Sequence, residues 1–148
     1  MRILLVTLVC AVLVPVAIAA DATAVDFCQA LRNPAKFAGK LIVVNGFIKP
    51  LIHGTYLKQA GCDESILLVL PEEIPNYKGG ITVVKDAQFE QFLDARYNHL
   101  PDAPVFSAEF TGQLEYPKRG KGFGYNKNAR TRLILQSVRH GTTAPQKP

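Results

Sequence analysis

Three runs of β-branched, aliphatic and aromatic residues dominate the first half of the chain. Residues 40–49 (KLIVVNGFIK) form the clearest run, and residues 55–59 (TYLKQ) and 65–70 (SILLVL) follow it. Such runs between turn residues predict strands, and the continuously apolar third run predicts a buried one. Gly46 interrupts the first run, and a glycine inside a strand indicates a bulge or a sharp bend.

Helical patterns occur twice. Residues 25–31 (VDFCQAL) predict a short helix that Asp26 can cap and that Pro34 ends. Residues 86–100 predict the main helix, because apolar residues recur there at spacings of three and four and form one apolar face. These apolar positions are Phe89, Phe92, Leu93, Tyr97 and Leu100.

Two further strands are predicted at residues 105–116 and 131–140. The order of elements is then a short N-terminal helix, three strands, a helix and two strands. This order predicts a mainly β (α+β) fold, a five-stranded barrel like the oligonucleotide/oligosaccharide-binding (OB) barrel, with the helix between strands three and four. A bend at Gly46 fits a first strand that curls around a small barrel. An α+β arrangement with an open sheet is the alternative.

The first twenty residues are almost entirely apolar after Arg2 and end in the small-residue sequence AIAA. This pattern predicts a cleavable signal peptide over residues 1–20, with cleavage after Ala19 or Ala20. A membrane anchor and a lipoprotein modified at Cys10 are the alternatives. The signal peptide predicts an exported protein that is periplasmic or secreted.

Removal of a signal peptide leaves enough chain for one OB-like domain over residues 21–140, followed by a polar tail, 141–148, that we expect to be flexible. It also changes the cysteine count, because Cys10 is lost and Cys28 and Cys62 remain. Two cysteines in an exported chain allow a single pairing, which predicts a disulfide. Free buried thiols and a metal site are the alternatives, although two cysteines without a clustered histidine pair make a poor zinc site.

Several short motifs lie along the predicted barrel. They are Cys28-x5-Pro34-x2-Phe37-x-Gly39-Lys40, Val44-x-Gly46-Phe47, His53-Gly54-x2-Leu57 with Cys62, Phe110-x-Gly112 and Gly122-Phe123-Gly124-Tyr125. In these motifs the chain resembles small exported bacterial OB-fold-like domains of uncharacterised function. The resemblance covers most of the chain after residue 20 and implies an OB-like fold with a Cys28–Cys62 bridge. It implies no activity and therefore assigns no catalytic residue.

Charge is unevenly distributed along the chain. Residues 21–115 carry 8 Lys/Arg and 12 Asp/Glu, a net charge of −4, whereas residues 116–148 carry 8 Lys/Arg and no acidic residue, a net charge of +8. This asymmetry indicates attraction to something anionic.

Basic and aromatic residues alternate in residues 116–132 (YPKRGKGFGYNKNARTR). In the predicted barrel this segment joins strands four and five, a loop that flanks the usual ligand face. Cations at this place can neutralise phosphates while aromatic rings stack on bases or sugars. The candidate ligand-binding residues are Lys118, Arg119, Lys121, Phe123, Tyr125, Lys127 and Arg130. A solvated hairpin loop whose charges serve solubility is the alternative.

Residues for catalysis or metal binding are not grouped in the sequence. His53, His99 and His140 show no ligand spacing, and no serine lies in a G-x-S-x-G motif. We therefore expect neither a metal or cofactor nor an enzyme. The sequence predicts a non-catalytic binding module for an anionic polymer or an acidic partner, without a membrane span after signal cleavage. A structural accessory subunit of an envelope protein complex is the alternative, followed by a small hydrolase or nuclease.

Overall fold

Strands make up most of the regular structure of this protein. The computed structural model describes residues 21–51, 53–98, 103–117, 121–124 and 127–145, except for the side chain of Pro50; the segment 1–20 lies outside these ranges. The strands are β1 (Thr23–Ala24), β2 (Leu41–Leu51), β3 (Gly54–Lys58), β4 (Ile66–Val69), β5 (Val105–Glu115) and β6 (Arg132–Ala144). The α-helices are α1 (Phe27–Arg32), α2 (Pro34–Phe37) and α3 (Ala87–Tyr97), and a 3-10 helix spans Pro71–Glu73.

Five of the strands close into a mixed barrel. The strand order is β1-β2-β3-β4-β6-β5, and an additional pairing between β2 and β5 closes the wall. The strands of the barrel pair antiparallel except for β4 and β6, which run parallel. Strand β1 adds to β2 in parallel. The mainly β OB-like barrel is therefore confirmed, with α3 between barrel strands three and four and α1 before the barrel.

Apolar side chains from all five barrel strands fill the interior. Phe92 of α3 packs against Phe106 and Phe110, with ring centroids 6.4 and 6.1 Å apart. Tilted and edge-on aromatic pairs at such distances are favourable, and burial of apolar area is the main force that holds a small domain together. Other interior residues that are almost completely buried are Ile42, Leu57, Ile66, Leu68, Leu114 and Leu133.

The last turn of α3 differs from the predicted apolar face. Tyr97 is 63% exposed, whereas Arg96 is 7% exposed. Nη2 of Arg96 donates to both carboxylate oxygens of Glu73, at 2.7 and 2.9 Å, and the guanidinium lies over the ring of Phe92. The prediction for Tyr97 is wrong because a paired guanidinium, whose aliphatic stem can pack like an apolar side chain, takes the buried position. Leu100 lies outside the described residues.

The boundaries of α1 and β6 agree with the sequence pattern at one point and differ from it at two. Asp26 caps α1 as predicted, accepting a hydrogen bond of 2.8 Å from a backbone amide of the first turn. Pro34, however, begins the second helix α2, since proline fits the first position of a helix. Strand β6 continues beyond the predicted end to Ala144, which pairs with Val105, and so enters the segment that was expected to be a flexible tail.

Gly46 lies next to the position where the pairing of β2 changes from β5 to β3. Residues 41–47 of β2 pair with β5, and residues 47–51 pair with β3. A Cβ atom at position 46 would lie 2.8 Å from the carbonyl oxygen of Lys58, so the two backbones approach more closely than a side chain permits. The predicted bulge or sharp bend at Gly46 stays a prediction, whereas the close approach of the Lys58 carbonyl explains why a residue without a side chain fits this position.

A disulfide joins Cys28 of α1 to Cys62 in the loop after β3, with the two Cα atoms 5.6 Å apart. It confirms the predicted pairing and overturns the alternatives of free thiols and a metal site. The bridge ties the N-terminal helix to the barrel wall, and by constraining the unfolded chain it stabilises the fold. Within the described ranges, none of the helices has the length and apolarity to cross a membrane.

Candidate functional site

The predicted ligand-binding loop lies between β5 and β6, as expected. Three of its seven candidate residues fall outside the described ranges: Lys118, Arg119 and Tyr125. The other four are described: Lys121, Lys127 and Arg130 are exposed, and Phe123 is half-buried. The described part of the candidate site therefore consists of these four residues and of the residues near them.

Backbone hydrogen bonds hold the described part of the loop in a narrow turn. Phe123 and Ala129 exchange two bonds, of 2.7 and 3.1 Å, which form an antiparallel bridge. Inside this bridge the amide of Lys127 donates to the carbonyl of Gly124 at 3.1 Å. Gly124 has a φ of 76° and Lys127 a φ of 57°, which places both residues in the left-handed region that tight turns use. The turn directs the Lys127 side chain to solvent.

Arg130 is engaged with an acidic residue of the barrel. Its Nη1 donates to Oε1 of Glu64 at 3.0 Å, and both side chains are about half exposed. The pKa of the Arg130 guanidinium is raised, first by a hydrogen bond with the Tyr116 side chain and then by the Glu64 carboxylate. Arg130 is thus a charged residue of the loop, as predicted, but a neighbouring carboxylate already compensates its charge.

Arg132 organises the base of the loop. Its Nε donates to Oε2 of Glu115 at 2.6 Å, and its guanidinium carbon lies 4.5 Å from the centroid of the Phe123 ring. A guanidinium over an aromatic face is a favourable cation–π contact. Because Arg132 covers one face of Phe123, only the other face can stack on a ligand.

Among the described residues of the loop, Lys121 and Lys127 are cations without a partner carboxylate. Both are exposed, and across the described ranges neither side chain lies within ion-pair distance of a carboxylate. They are therefore the described loop residues that best fit the predicted role of neutralising an anion.

The loop lies against the outer side of β3 and β4. A Cβ atom on Gly124 would be 3.3 Å from both the hydroxyl of Tyr56 and Cδ2 of Leu67. Leu67 pairs with Tyr56 and so points away from the barrel interior, yet it is only 6% exposed. The loop helps to cover Leu67, and at Gly124 it lies beside the strand face that carries Tyr56.

Strands β2 and β3 present lysines and aromatic rings on this same outer side. Thr55 and Leu57 of β3 are buried, so the alternation of a strand turns Tyr56 and Lys58 outwards. Their partners on β2 are Lys49 for Tyr56 and Phe47 for Lys58, and directly opposite residues share one side of a sheet. Each lysine of the pair of strands therefore stands beside an aromatic ring.

We call this combined surface the basic face and define it by Phe47, Lys49, Tyr56, Lys58, Lys121 and Lys127. Across the described part of the chain, none of its four lysines lies within 4.0 Å of a carboxylate oxygen. The sequence did not predict the four strand residues, although the alternation in TYLKQ places Tyr56 and Lys58 on the outward side of β3. Their proximity to Phe47 and Lys49 depends on the register of β2 and β3, which the sequence does not reveal.

Groups for metal binding do not assemble in the described ranges, where no cluster of three or more His, Cys, Asp or Glu side chains exists. His53 and His140 lie on different parts of the barrel, and His99 lies outside the described residues. His140 Nδ1 is 3.9 Å from Oε1 of Glu109. We find no described constellation of nucleophile, base and oxyanion donor around the basic face.

Comparison with known proteins adds no name to this arrangement. No model of a protein family matches the chain, and no curated protein has a significantly similar sequence. The site must therefore be interpreted from its own geometry.

Proposed function

We propose that this protein is an exported, non-catalytic binding module whose basic face holds an anionic polymer. The observation that carries the proposal is the pairing of lysine with an aromatic ring at two successive positions of β2 and β3. Cations that neutralise phosphate or sulfate groups, together with rings that stack on bases or sugars, are the two components of polyanion binding by OB barrels.

The shape of the basic face favours a polymer over a small anion. Its lysines are distributed over two strands and a neighbouring loop and are not gathered around one cavity. An extended chain can contact Lys49 and Lys58 on the strands and then Lys121 and Lys127 on the loop. Phe47, Tyr56 and the face of Phe123 that Arg132 does not cover provide aromatic surface along the same path.

Export is supported by two independent features. Residues 1–20 have the composition of a signal peptide. The Cys28–Cys62 disulfide is typical of chains that fold in an oxidising compartment. The partners that fit this location are anionic polymers of the cell envelope or of the extracellular space. The resemblance to small exported bacterial OB-like domains agrees with the same proposal.

Chromatography on heparin and on single-stranded DNA tests the proposal. The variant Lys49→Gln/Lys58→Gln removes the strand lysines of the basic face, and Lys78→Gln/Lys85→Gln removes two exposed lysines elsewhere with the same change in net charge. We expect the first variant to elute at clearly lower salt than the second. On single-stranded DNA, the slope of log K against log salt should decrease by about 0.7 for each lost lysine contact.

Equal elution of the two double variants would contradict the proposal, because retention would then depend on net charge alone. The loop contribution is measured separately with Lys121→Gln/Lys127→Gln, which should weaken retention in the same direction. If only this loop variant has an effect, the binding surface is the loop without the strand face.

A further inference from the structure

A second region of the outer wall has different chemistry. Strands β2, β5 and β6, together with residues 21–22 and 80–81, enclose a solvent-open cleft of about 710 Å³. This volume falls within the ~300–1,000 Å³ that is usual for small-molecule sites. We call it the polar cleft. Its main lining side chains are Leu41, Val43, Glu109, Thr111, Ser137 and Arg139.

Two buried hydroxyl residues lie side by side in the polar cleft. Thr111 and Ser137 are partners across β5 and β6, and each is 9% exposed. Within the described ranges, neither side-chain hydroxyl has a hydrogen-bond partner in the protein. The hydroxyl oxygens of Thr111 and Ser137 are not enclosed but reach the solvent-open cleft, so both can donate hydrogen bonds to a ligand bound there and accept hydrogen bonds from it.

The charges of the polar cleft do not favour a polyanion. Glu109 and Arg139 are directly opposite each other in the register of β5 and β6, and Asp21 also lines the cleft. The amino terminus that the proposed cleavage after Ala19 or Ala20 leaves next to Asp21 adds a second positive charge to that of Arg139, and the two carboxylates balance them, so the lining has no excess of positive charge. The remaining polar lining groups include the uncharged amides of Gln113 and Gln136.

The hydrogen-bonding character of the lining favours a ligand that is rich in hydroxyl groups. Hydroxyl and amide side chains both donate and accept hydrogen bonds, as the hydroxyls of a saccharide do. Nε2 of Gln113 already donates to the carbonyl of Gly39 at 3.0 Å, which leaves its amide oxygen able to accept from a ligand. Leu41, Val43 and Ile81 add half-buried aliphatic surface on which the C–H face of a sugar ring can pack.

From this combination we propose that the polar cleft binds an uncharged saccharide unit, with Thr111 and Ser137 as hydrogen-bonding residues. The cleft lies on the β5–β6 side of the barrel and shares no residue with the basic face. The proposal is therefore independent of polyanion binding, and either one can fail without the other.

Titration of the purified protein with uncharged sugars tests the proposal. Glucose, galactose, N-acetylglucosamine and their β-linked disaccharides are added to ¹⁵N-labelled protein, with phosphate and free glutamate as charged probes. We expect at least one sugar to shift the backbone amide resonances of residues 109–113 and 136–139 with saturation. A shift of these resonances by the charged probes alone would overturn the saccharide assignment, and the absence of any shift would overturn the site.

Two variants remove the hydroxyls with little change in shape: Thr111→Val and Ser137→Ala. Each should weaken sugar binding by about five- to tenfold, the usual effect of one lost hydrogen bond. Thr55→Val is the matched control, because Thr55 is a buried threonine of β3 that does not line this cleft.

These variants should fold, since a solvent-accessible hydroxyl without a protein partner contributes little to stability. Their melting temperatures should equal that of the parent protein or exceed it. Unchanged sugar affinity in both variants would contradict the proposal, because binding would then not use the hydroxyls. A loss in Thr55→Val as large as in Thr111→Val would contradict it as well.

Discussion

The basic face and the polar cleft lie on the same barrel wall, and both use residues of β2, but their side chains differ in kind. The basic face combines four lysines with two aromatic rings and contains no acidic residue. The polar cleft combines hydroxyls and amides with Glu109, Arg139 and Asp21, and the part that the structure describes includes no aromatic ring. One wall therefore carries both the surface that we propose for polyanions and the cleft that we propose for neutral saccharides.

The difference arises from the way β2 turns around the barrel. Before Gly46, the outward residues Leu41 and Val43 face the neighbourhood of β5 and β6. After Gly46, the outward residues Phe47 and Lys49 lie beside β3. A single strand thus supplies apolar surface to one region and a cation with a ring to the other. The strand that each segment of β2 pairs with therefore determines which surface, the polar cleft or the basic face, its outward side chains belong to.

The largest effect is expected from loss of the disulfide, which tests whether the two regions belong to one cooperative unit. The residues Cys28 and Cys62 are 34 positions apart, and the chain-entropy estimate for a loop of that length is about 3–4 kcal/mol. Cys28→Ser/Cys62→Ser should lower the free energy of unfolding by about this amount in urea denaturation.

The same variant also tests whether the basic face and the polar cleft unfold together or independently. We expect heparin retention and sugar binding to disappear at the same urea concentration, since both regions depend on the closed barrel. Loss of one function well before the other would show that the wall is not a single unit. The parent protein with and without reductant provides the control.

Gly46→Ala should have the next largest effect, because it disturbs β2 where its pairing changes from β5 to β3, between the two regions. The added Cβ would lie 2.8 Å from the backbone carbonyl of Lys58, which cannot move away as a flexible side chain would. Overpacking of this kind costs about 1–3 kcal/mol of unfolding free energy. Chemical denaturation measures this cost.

Gly80→Ala is the matched control, because nothing lies within 4 Å of a Cβ built at that position. It should change the unfolding free energy by no more than about 0.5 kcal/mol. If Gly46→Ala is as mild as Gly80→Ala, the close approach of β2 and β3 at this point is not tight. The close packing of β2 and β3 at this position would then not depend on glycine.

Much of the barrel could be predicted from the sequence because its signals are local. Alternating and continuous apolar runs between turn residues indicate strands wherever they lie in the fold, and residues 86–100 carry a helical period of their own. The Cys28–Cys62 bridge followed from there being one possible pairing. At Tyr97 the local pattern was misleading, because the long-range pair of Arg96 and Glu73 decides which side chain is buried.

The candidate sites could be predicted only in part, because they depend on contacts between distant residues. The basic loop was visible as a composition, but Glu64 and Glu115 compensate Arg130 and Arg132, which no local pattern reveals. The lysine–aromatic pairs of β2 and β3 require the register. The hydroxyl pair of the polar cleft requires β5 and β6 to align Thr111 with Ser137, and two register shifts in this pairing make that alignment unpredictable by counting.

The smallest effect is expected from Glu64→Gln, which removes the carboxylate that compensates Arg130. It tests whether this loop arginine can then add to polyanion binding without changing sugar binding. Glu64 compensates Arg130 through an exposed ion pair of 3.0 Å, so its removal leaves the guanidinium able to contact an anion. Glu72→Gln makes the same change in net charge at another exposed glutamate, and no ion pair of Glu72 occurs within the described ranges. We expect Glu64→Gln to tighten heparin binding by more than Glu72→Gln, with a difference of at most about fivefold, because exposed ion pairs are weak. Both variants should bind sugars as the parent does, since neither residue lines the polar cleft. Equal heparin affinities would mean that Arg130 does not reach the bound polymer, and the loop contribution would then come from Lys121 and Lys127.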